Sequence, residues 1–111
     1  MYSAAFIFKP GTYDDEFHRL NALIDKAARA NPGFITAETW KSADGATLNA
    51  TYYWQTLEDL RVFSQHPDHL EAKKQYRRWY DGYHIVISEI LKSYGDDSID
   101  HCTPNDRSTR Q

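Results

Sequence analysis

The stretch TYYWQTLEDLRVFSQHPDHLEAKKQYRRWY, Thr51 to Tyr80, changes its apolar period midway. Up to Trp54 it alternates: Leu48, Ala50, Tyr52 and Trp54 share one side of a strand over Thr47–Trp54, and Asn49, Thr51 and Tyr53 share the other. Beyond Trp54 the period lengthens to that of a helix. Thr56 is placed to cap it, with Asp59 three positions on as a variant of the capping box. Leu57, Leu60 and Phe63 give the helix its inward stripe. His66-Pro67 interrupts it, because proline has no N–H and its ring collides with the preceding turn; the helix breaks there or restarts with proline as its first residue. The restarted segment, Asp68 to about Tyr80, is predicted to carry Leu70, Ala72, Tyr76, Trp79 and Tyr80 inward and to end at Asp81-Gly82.

The same reading extends to both sides. Tyr2 to Lys9 alternates as a strand, with Tyr2, Ala4, Phe6 and Phe8 opposite Ser3, Ala5, Ile7 and Lys9, and Pro10-Gly11 ends it. A helix follows, with Thr12 as its expected cap, acidic residues in its first turn, and a stripe of Phe17, Leu20, Leu23, Ile24, Ala27 and Ala28. Phe34–Lys41 is a second strand, joined through the Ser42–Ala46 loop with its Asp44-Gly45 turn to the third. Tyr83–Leu91 is the fourth. The order predicts an α+β, ferredoxin-like β-α-β-β-α-β domain over residues 1–95, in which both crossovers put their helices on one face of a four-stranded antiparallel sheet. Ile7 or Phe8, and Val86 or Ile87, then fall on the other face. They are too apolar to leave wet, so a homodimer joined through that sheet face is expected. Residues 96–111 have no periodicity and read as a polar, flexible tail.

Composition narrows the function. The chain of 111 residues has a formal charge of −3, and its tail holds four aspartates against two arginines. No basic stripe suggests nucleic acid, and the run Lys73, Lys74, Arg77, Arg78 reads as the solvated side of a helix. The single Cys102 cannot form an internal disulfide, and no apolar run approaches membrane-spanning length; a cytoplasmic protein without membrane contact is expected. The chain lacks a glycine-rich phosphate loop, a dinucleotide fingerprint and zinc-ligand spacing. Its excess is in aromatics, with eight Tyr, five Phe and three Trp, which suits a core that is partly a pocket.

The strand end YYWQTLEDL, Tyr52 to Leu60, with Trp54 followed by a hydroxyl-capped helix, and the run from His66 to Gly95 resemble the antibiotic biosynthesis monooxygenase-like family of the dimeric α/β-barrel superfamily. The resemblance covers about residues 1–95. It implies a homodimer whose two sheets form a barrel, with a ligand pocket between sheet and helices in each subunit. Some members oxygenate polycyclic phenols or quinols without metal or flavin, and others degrade haem. In the haem-degrading relatives an Asn on the first strand and a Trp and a His on the second helix carry the reaction. This chain has no Asn between Tyr2 and Lys9, and the corresponding helix positions are Phe63 and Lys73. That departure counts against haem degradation.

The chemistry so implied is cofactor-independent monooxygenation of an aromatic or quinol-like molecule, with no cofactor and no metal. It requires a flat slot, donors for the substrate anion and exclusion of water. The family match puts Trp54 at the mouth of the strand-helix crevice, where it would stack on the substrate or simply pack in the core. His69 is the candidate base or anion partner, since an unperturbed imidazole titrates near neutrality; a surface or capping position is its plainer reading. His66, Phe63, Tyr76, Trp79 and Tyr80 are the candidate ligand-binding residues, and core packing is the plainer account of most of these rings. The alternatives are a non-catalytic dimer that binds a hydrophobic small molecule, or haem binding through His66 or His69. His18 and His101 read as surface residues.

Overall fold

The computed structural model describes residues 1–107, so positions 108–111 of the expected tail lie outside the described residues. Strands β1 (Tyr2–Pro10), β2 (Phe34–Lys41), β3 (Leu48–Trp54) and β4 (Tyr80–Glu89) form one antiparallel sheet in the order β2-β3-β1-β4. Helix α1 (Asp15–Ala30) makes the first crossover. The second is divided into α2 (Leu57–Ser64), α3 (Pro67–Lys74) and α4 (Tyr76–Trp79). This is the expected α+β, ferredoxin-like arrangement.

Register decides what each sheet face offers. Ala4 lies between Tyr52 and Ile87, and Phe6 between Ala50 and Ile85. Directly opposed residues point the same way, so these side chains face the helices. Ala5, between Thr51 and Val86, and Ile7, between Asn49 and His84, face outward. Of the pairs left open by the sequence, Ile7 and Val86 therefore belong to the outer face.

Three caps fix where the helices begin. Thr56 Oγ1 accepts from Asp59 N at 3.1 Å, the cap the spacing predicts, and donates to Asp59 Oδ2 at 2.6 Å, so the carboxylate returns to the cap hydroxyl and not to its backbone N–H. Pro67 is the first residue of α3, and His66 caps it, its Nδ1 accepting from Asp68 N at 3.2 Å. The cap of α1 is Asp14, not Thr12: its Oδ1 accepts from Phe17 N at 2.9 Å and from Trp79 Nε1 at 2.9 Å, and Arg78 donates to Oδ2 at 2.7 Å. A carboxylate held by three donors from two elements gains more here than a free hydroxyl.

The segment after the break also differs from expectation. It is two short helices, and α3 buries no residue; Leu70 is exposed. Asp81-Gly82 does not end the helix. Gly11 N donates to Trp79 O at 2.7 Å and captures the last carbonyl, so that β4 starts at Tyr80. Asp81 is then the extra residue of a bulge, with Lys9 opposite Gly82 and Pro10 opposite Tyr80. Proline at that edge has no N–H to lose from the ladder. In the β2-β3 turn, Gly45 adopts φ 73°, as its hairpin position requires.

The core is thin. Ala28, Trp54, Leu60 and Phe63 form its centre, with Ala4, Ile24 and Phe34 packed around them. The accessible surface is 7811 Å², where a compact monomer of this mass exposes about 6300 Å². The radius of gyration, 15.7 Å, likewise exceeds the roughly 13 Å expected for the length. No helix among the described residues is long and apolar enough to cross a membrane.

Gly33 gives a direct test of the packing where β2 begins. Its N–H donates to Asn31 Oδ1 at 2.8 Å and its carbonyl accepts from Gln55 N at 2.8 Å, and a Cβ there would stand 2.0 Å from Asp59 Cγ. Gly33→Ala must displace the carboxylate that closes the Thr56 cap. We expect it to cost about 1–3 kcal/mol in urea unfolding, the usual range for forced overpacking.

Candidate functional site

A cavity of about 460 Å³ opens between sheet and helices. Its floor comes from the helix-facing sides of three strands: Ala4 and Phe6 from β1, Tyr52 from β3, Ile85 and Ile87 from β4. Its roof comes from α1 through Asn21 and Ile24, from α2 through Leu60, Phe63 and Ser64, and from α3 through His69 and Lys73. Tyr76, Tyr80 and Tyr83 close one end. Tyr83, Ile85 and Ile87 are exposed, which puts the mouth along β4, where the helices do not reach across the sheet.

Four of the candidate residues meet in this wall: Phe63, His69, Tyr76 and Tyr80. The rings of Phe63 and His69 lie 5.0 Å apart in an edge arrangement, and Tyr52 stacks on Phe63 at 6.0 Å. Tyr80 meets Phe6 edge-on at 5.3 Å, and Tyr76 meets Tyr83 edge-on at 4.9 Å. Edge and offset geometries of this kind hold rings in place without filling the space between them.

Three candidates stand elsewhere. Trp54, expected at the mouth, has no exposed surface; it lies behind Phe63 at 4.9 Å, in the core, because the register of β3 seats it under α1 and α2. Trp79 is 1% exposed and its indole is engaged by Asp14, so it locks α4 to α1 and does not line the cavity. His66 is a half-exposed cap at the start of α3, outside the cavity. Lys73, read as part of a solvated run, is exposed as expected but also reaches toward α2, its Nζ donating to Ser64 O at 3.4 Å, and borders the cavity. Tyr52 was legible as a pocket residue from its place on the Trp54 face of β3. The reach of Lys73 toward α2 has no sequence signal, since it depends on the angle between α2 and α3.

Of the polar groups in the wall, His69 and Lys73 carry the ionisable nitrogens, beside the neutral Asn21 and Ser64. Burial, then Lys73 and His66, push the His69 imidazole down to about 4. It is therefore neutral at neutral pH and no effective base there. Its Nδ1 is sealed from solvent without a partner. A buried N–H without an acceptor is costlier than an unused lone pair, which favours the tautomer with the proton on Nε2. His69 then offers an N–H donor, and Lys73 offers a cation nearby. No carboxylate lines the cavity among the described residues. Burial raises the Tyr80 and Tyr52 phenols, so both stay neutral hydroxyls. The wall as a whole suits a flat apolar body that carries a hydrogen-bond acceptor or an anionic oxygen.

No family model matches the chain. Over 64 residues, 57% of the chain, it is 28% identical to the uncharacterized protein YqjZ of Bacillus subtilis (strain 168), and it spans 55% of that protein. Among solved structures it is similar to Rv0793 from Mycobacterium tuberculosis, with TM-score 0.62 and 20% identity, covering 85% of this chain and 98% of that one. It is similar to SnoaB, a cofactor-independent oxygenase from Streptomyces nogalater, with TM-score 0.65 and 14% identity over 83% and 94% of the two chains. A candidate antibiotic biosynthesis monooxygenase from Deinococcus radiodurans superposes with TM-score 0.67 and 14% identity, over 86% and 97%. The structural neighbours are thus proteins of the antibiotic biosynthesis monooxygenase type, and at these identities the likeness is one of fold.

The His69 shift has a measurable consequence. An unfolded histidine titrates at roughly 6.5, so between that value and about 4 the unfolded chain binds a proton that the folded one refuses. Stability contributed by neutral His69 is complete above this window, falls as pH drops through it, and levels off below. Urea midpoints taken at neutral pH and near pH 4.5 should separate more for the wild type than for His69→Gln. Carboxylates such as Asp14 and Glu38 add their own acid loss to both proteins equally.

Proposed function

We propose that this chain, with the fold of the antibiotic biosynthesis monooxygenases, is a cofactor-independent monooxygenase acting on an aromatic or quinol-like small molecule held in the sheet-helix cavity. The observation that carries the reading is the ring-lined cavity whose roof brings His69 and Lys73, with the neutral Asn21 and Ser64, opposite a largely apolar floor. A flat polycycle would lie between Phe63, Tyr52 and Phe6, with its acidic oxygen toward the Nε2–H of His69 and the ammonium of Lys73. Those two groups favour the enolate or phenolate over its neutral form, which is the electronic demand of the reaction. The bound anion passes one electron to dioxygen, and the two radicals combine to form a C–O bond. After one proton is taken up from solvent, loss of water leaves a ketone that retains one oxygen atom. In this scheme His69 is the anion partner and not the base. Phe63, Tyr76 and Tyr80 orient the rings and keep water from the reacting carbon, while Trp54 supports Phe63 from behind.

The open apolar residues of the outer sheet face support a second copy of this chain, packed there, as its partner. Trp40 and Val86 on that face are 66% and 41% exposed, and a standard interface removes about 800 Å² per partner.

Binding without turnover is the second reading. It is favoured by the same depressed His69 imidazole, which leaves the cavity without an effective histidine base at neutral pH.

Oxygen uptake by the purified protein with a panel of anthrone, naphthol and quinol substrates tests the proposal. We expect stoichiometric consumption and a loss of about 10²–10³ in kcat for His69→Phe, as for removal of one oxyanion donor. Because His69 acts through an N–H that it keeps in both protonation states, no activity loss attributable to it should appear in the ordinary histidine range. Tight binding without oxygen uptake, in folded protein, would instead favour the carrier reading.

A further inference from the structure

The segment after β4 does not run free. Ser93 N donates to Asp106 Oδ2 at 2.9 Å, Asp106 N donates to Ser93 O at 2.7 Å, and Asn105 Nδ2 reaches Gly95 O at 3.0 Å and Asp97 Oδ1 at 2.7 Å. Ser93 and Asp106 thus close an Ω-type loop of the length typical for such loops. The loop carries His101 back onto the outer face of the sheet. There His101 Nε2 stands 3.3 Å from the Glu38 carboxylate on β2, and its ring meets Tyr53 of β3 edge-on at 5.5 Å. Tyr53 Oη donates to Glu38 Oε1 at 2.7 Å, so the three side chains form one cluster. The loop leaves Tyr53 only 9% exposed on a face where Trp40 and Val86 are open.

We infer that this loop is a latch, held by His101 on the Glu38–Tyr53 pair, that competes with a second copy of the chain for the outer sheet face. The inference rests on the proposed sheet-to-sheet pairing. Stacked sheets pack about 10 Å apart, a gap filled by their own side chains, with no room for an intervening loop. The loop in place therefore holds the chain as a monomer, and pairing requires that it swing off Glu38. Opening exposes Tyr53 beside Trp40 and extends the apolar patch that the partner would bury. The match to Rv0793 covers 85% of this chain, although it takes in 98% of the other protein.

Sedimentation velocity across the micromolar to millimolar range, with the full chain, tests the inference. His101→Ala breaks the latch at its tip, and Asn105→Ala loosens its closure; both residues are exposed and outside the core. Each variant should dimerise roughly two- to fivefold more tightly than wild type, as expected for loss of one exposed polar contact. Amide protection of β1 and β3 serves as the check that each is folded. Equal dimerisation of all three proteins overturns the latch and leaves the paired assembly standing. Weaker dimerisation of the variants also overturns it, since the loop would then be helping the partner. Absence of self-association in every protein overturns the latch and the pairing together.

Discussion

The arrangement turns on one carboxylate. Asp14 starts α1 by accepting from Phe17 N, and the same side chain accepts the Trp79 indole and the Arg78 guanidinium from α4. Hydrogen bonds and Arg78 hold its carboxyl below the usual aspartate range, so the acceptor stays charged through the physiological range. Next to it, Gly11 N captures the Trp79 carbonyl. The beginning of the first crossover is thereby fastened to the end of the second, at the point where the chain turns into β4. Together with the edge contacts of Tyr13 and Phe17 on Tyr80, that tie sets the height of the helical layer over this end of the sheet. The space between the layers is a consequence of it.

That space persists because the helices are too few to close it. A single layer over a four-stranded sheet leaves β4 uncovered, and its Ile85 and Ile87 become the lip of the cavity and not part of a sealed core. The apolar stabilisation of the fold is concentrated around Trp54, Phe63, Leu60 and Ala28. The ring-lined volume lies directly beside this cluster and shares Phe63 with it. Core and cavity therefore meet in one side chain, and a change there would be felt in both.

Much of the fold could be read from the chain because its signals were local. The alternation of β1 and β3, the Thr56 cap, the proline restart and the Gly45 turn are each set within a few residues. What could not be read depended on distant partners. Thr12 and Asp14 are both competent caps in isolation, and only the approach of Trp79 and Arg78 decides between them. The bulge at Asp81 requires knowing that Gly11 takes the Trp79 carbonyl. For the site, Phe63, Tyr76 and Tyr80 line the cavity as their periods suggested; His69 lines it although the stripe did not include it, Trp54 is displaced into the core by the register of β3, and Lys73 reaches back to Ser64 across the break. His101 gave no hint of its hold on Glu38, since the two are far apart in sequence.

The division of the second crossover into three short helices also bears on what the cavity can accept. Helix α3, which presents His69 and Lys73, buries none of its residues and is bounded by a proline at one end and by Gln75 at the other. The part of the wall that supplies His69 and Lys73 is thus a short helix interrupted at both ends and packed on α1, while the aromatic floor is built into the sheet. Under the proposed function, the sheet would set the plane of a guest's rings, while the short helix after Pro67 would set where its oxygen sits.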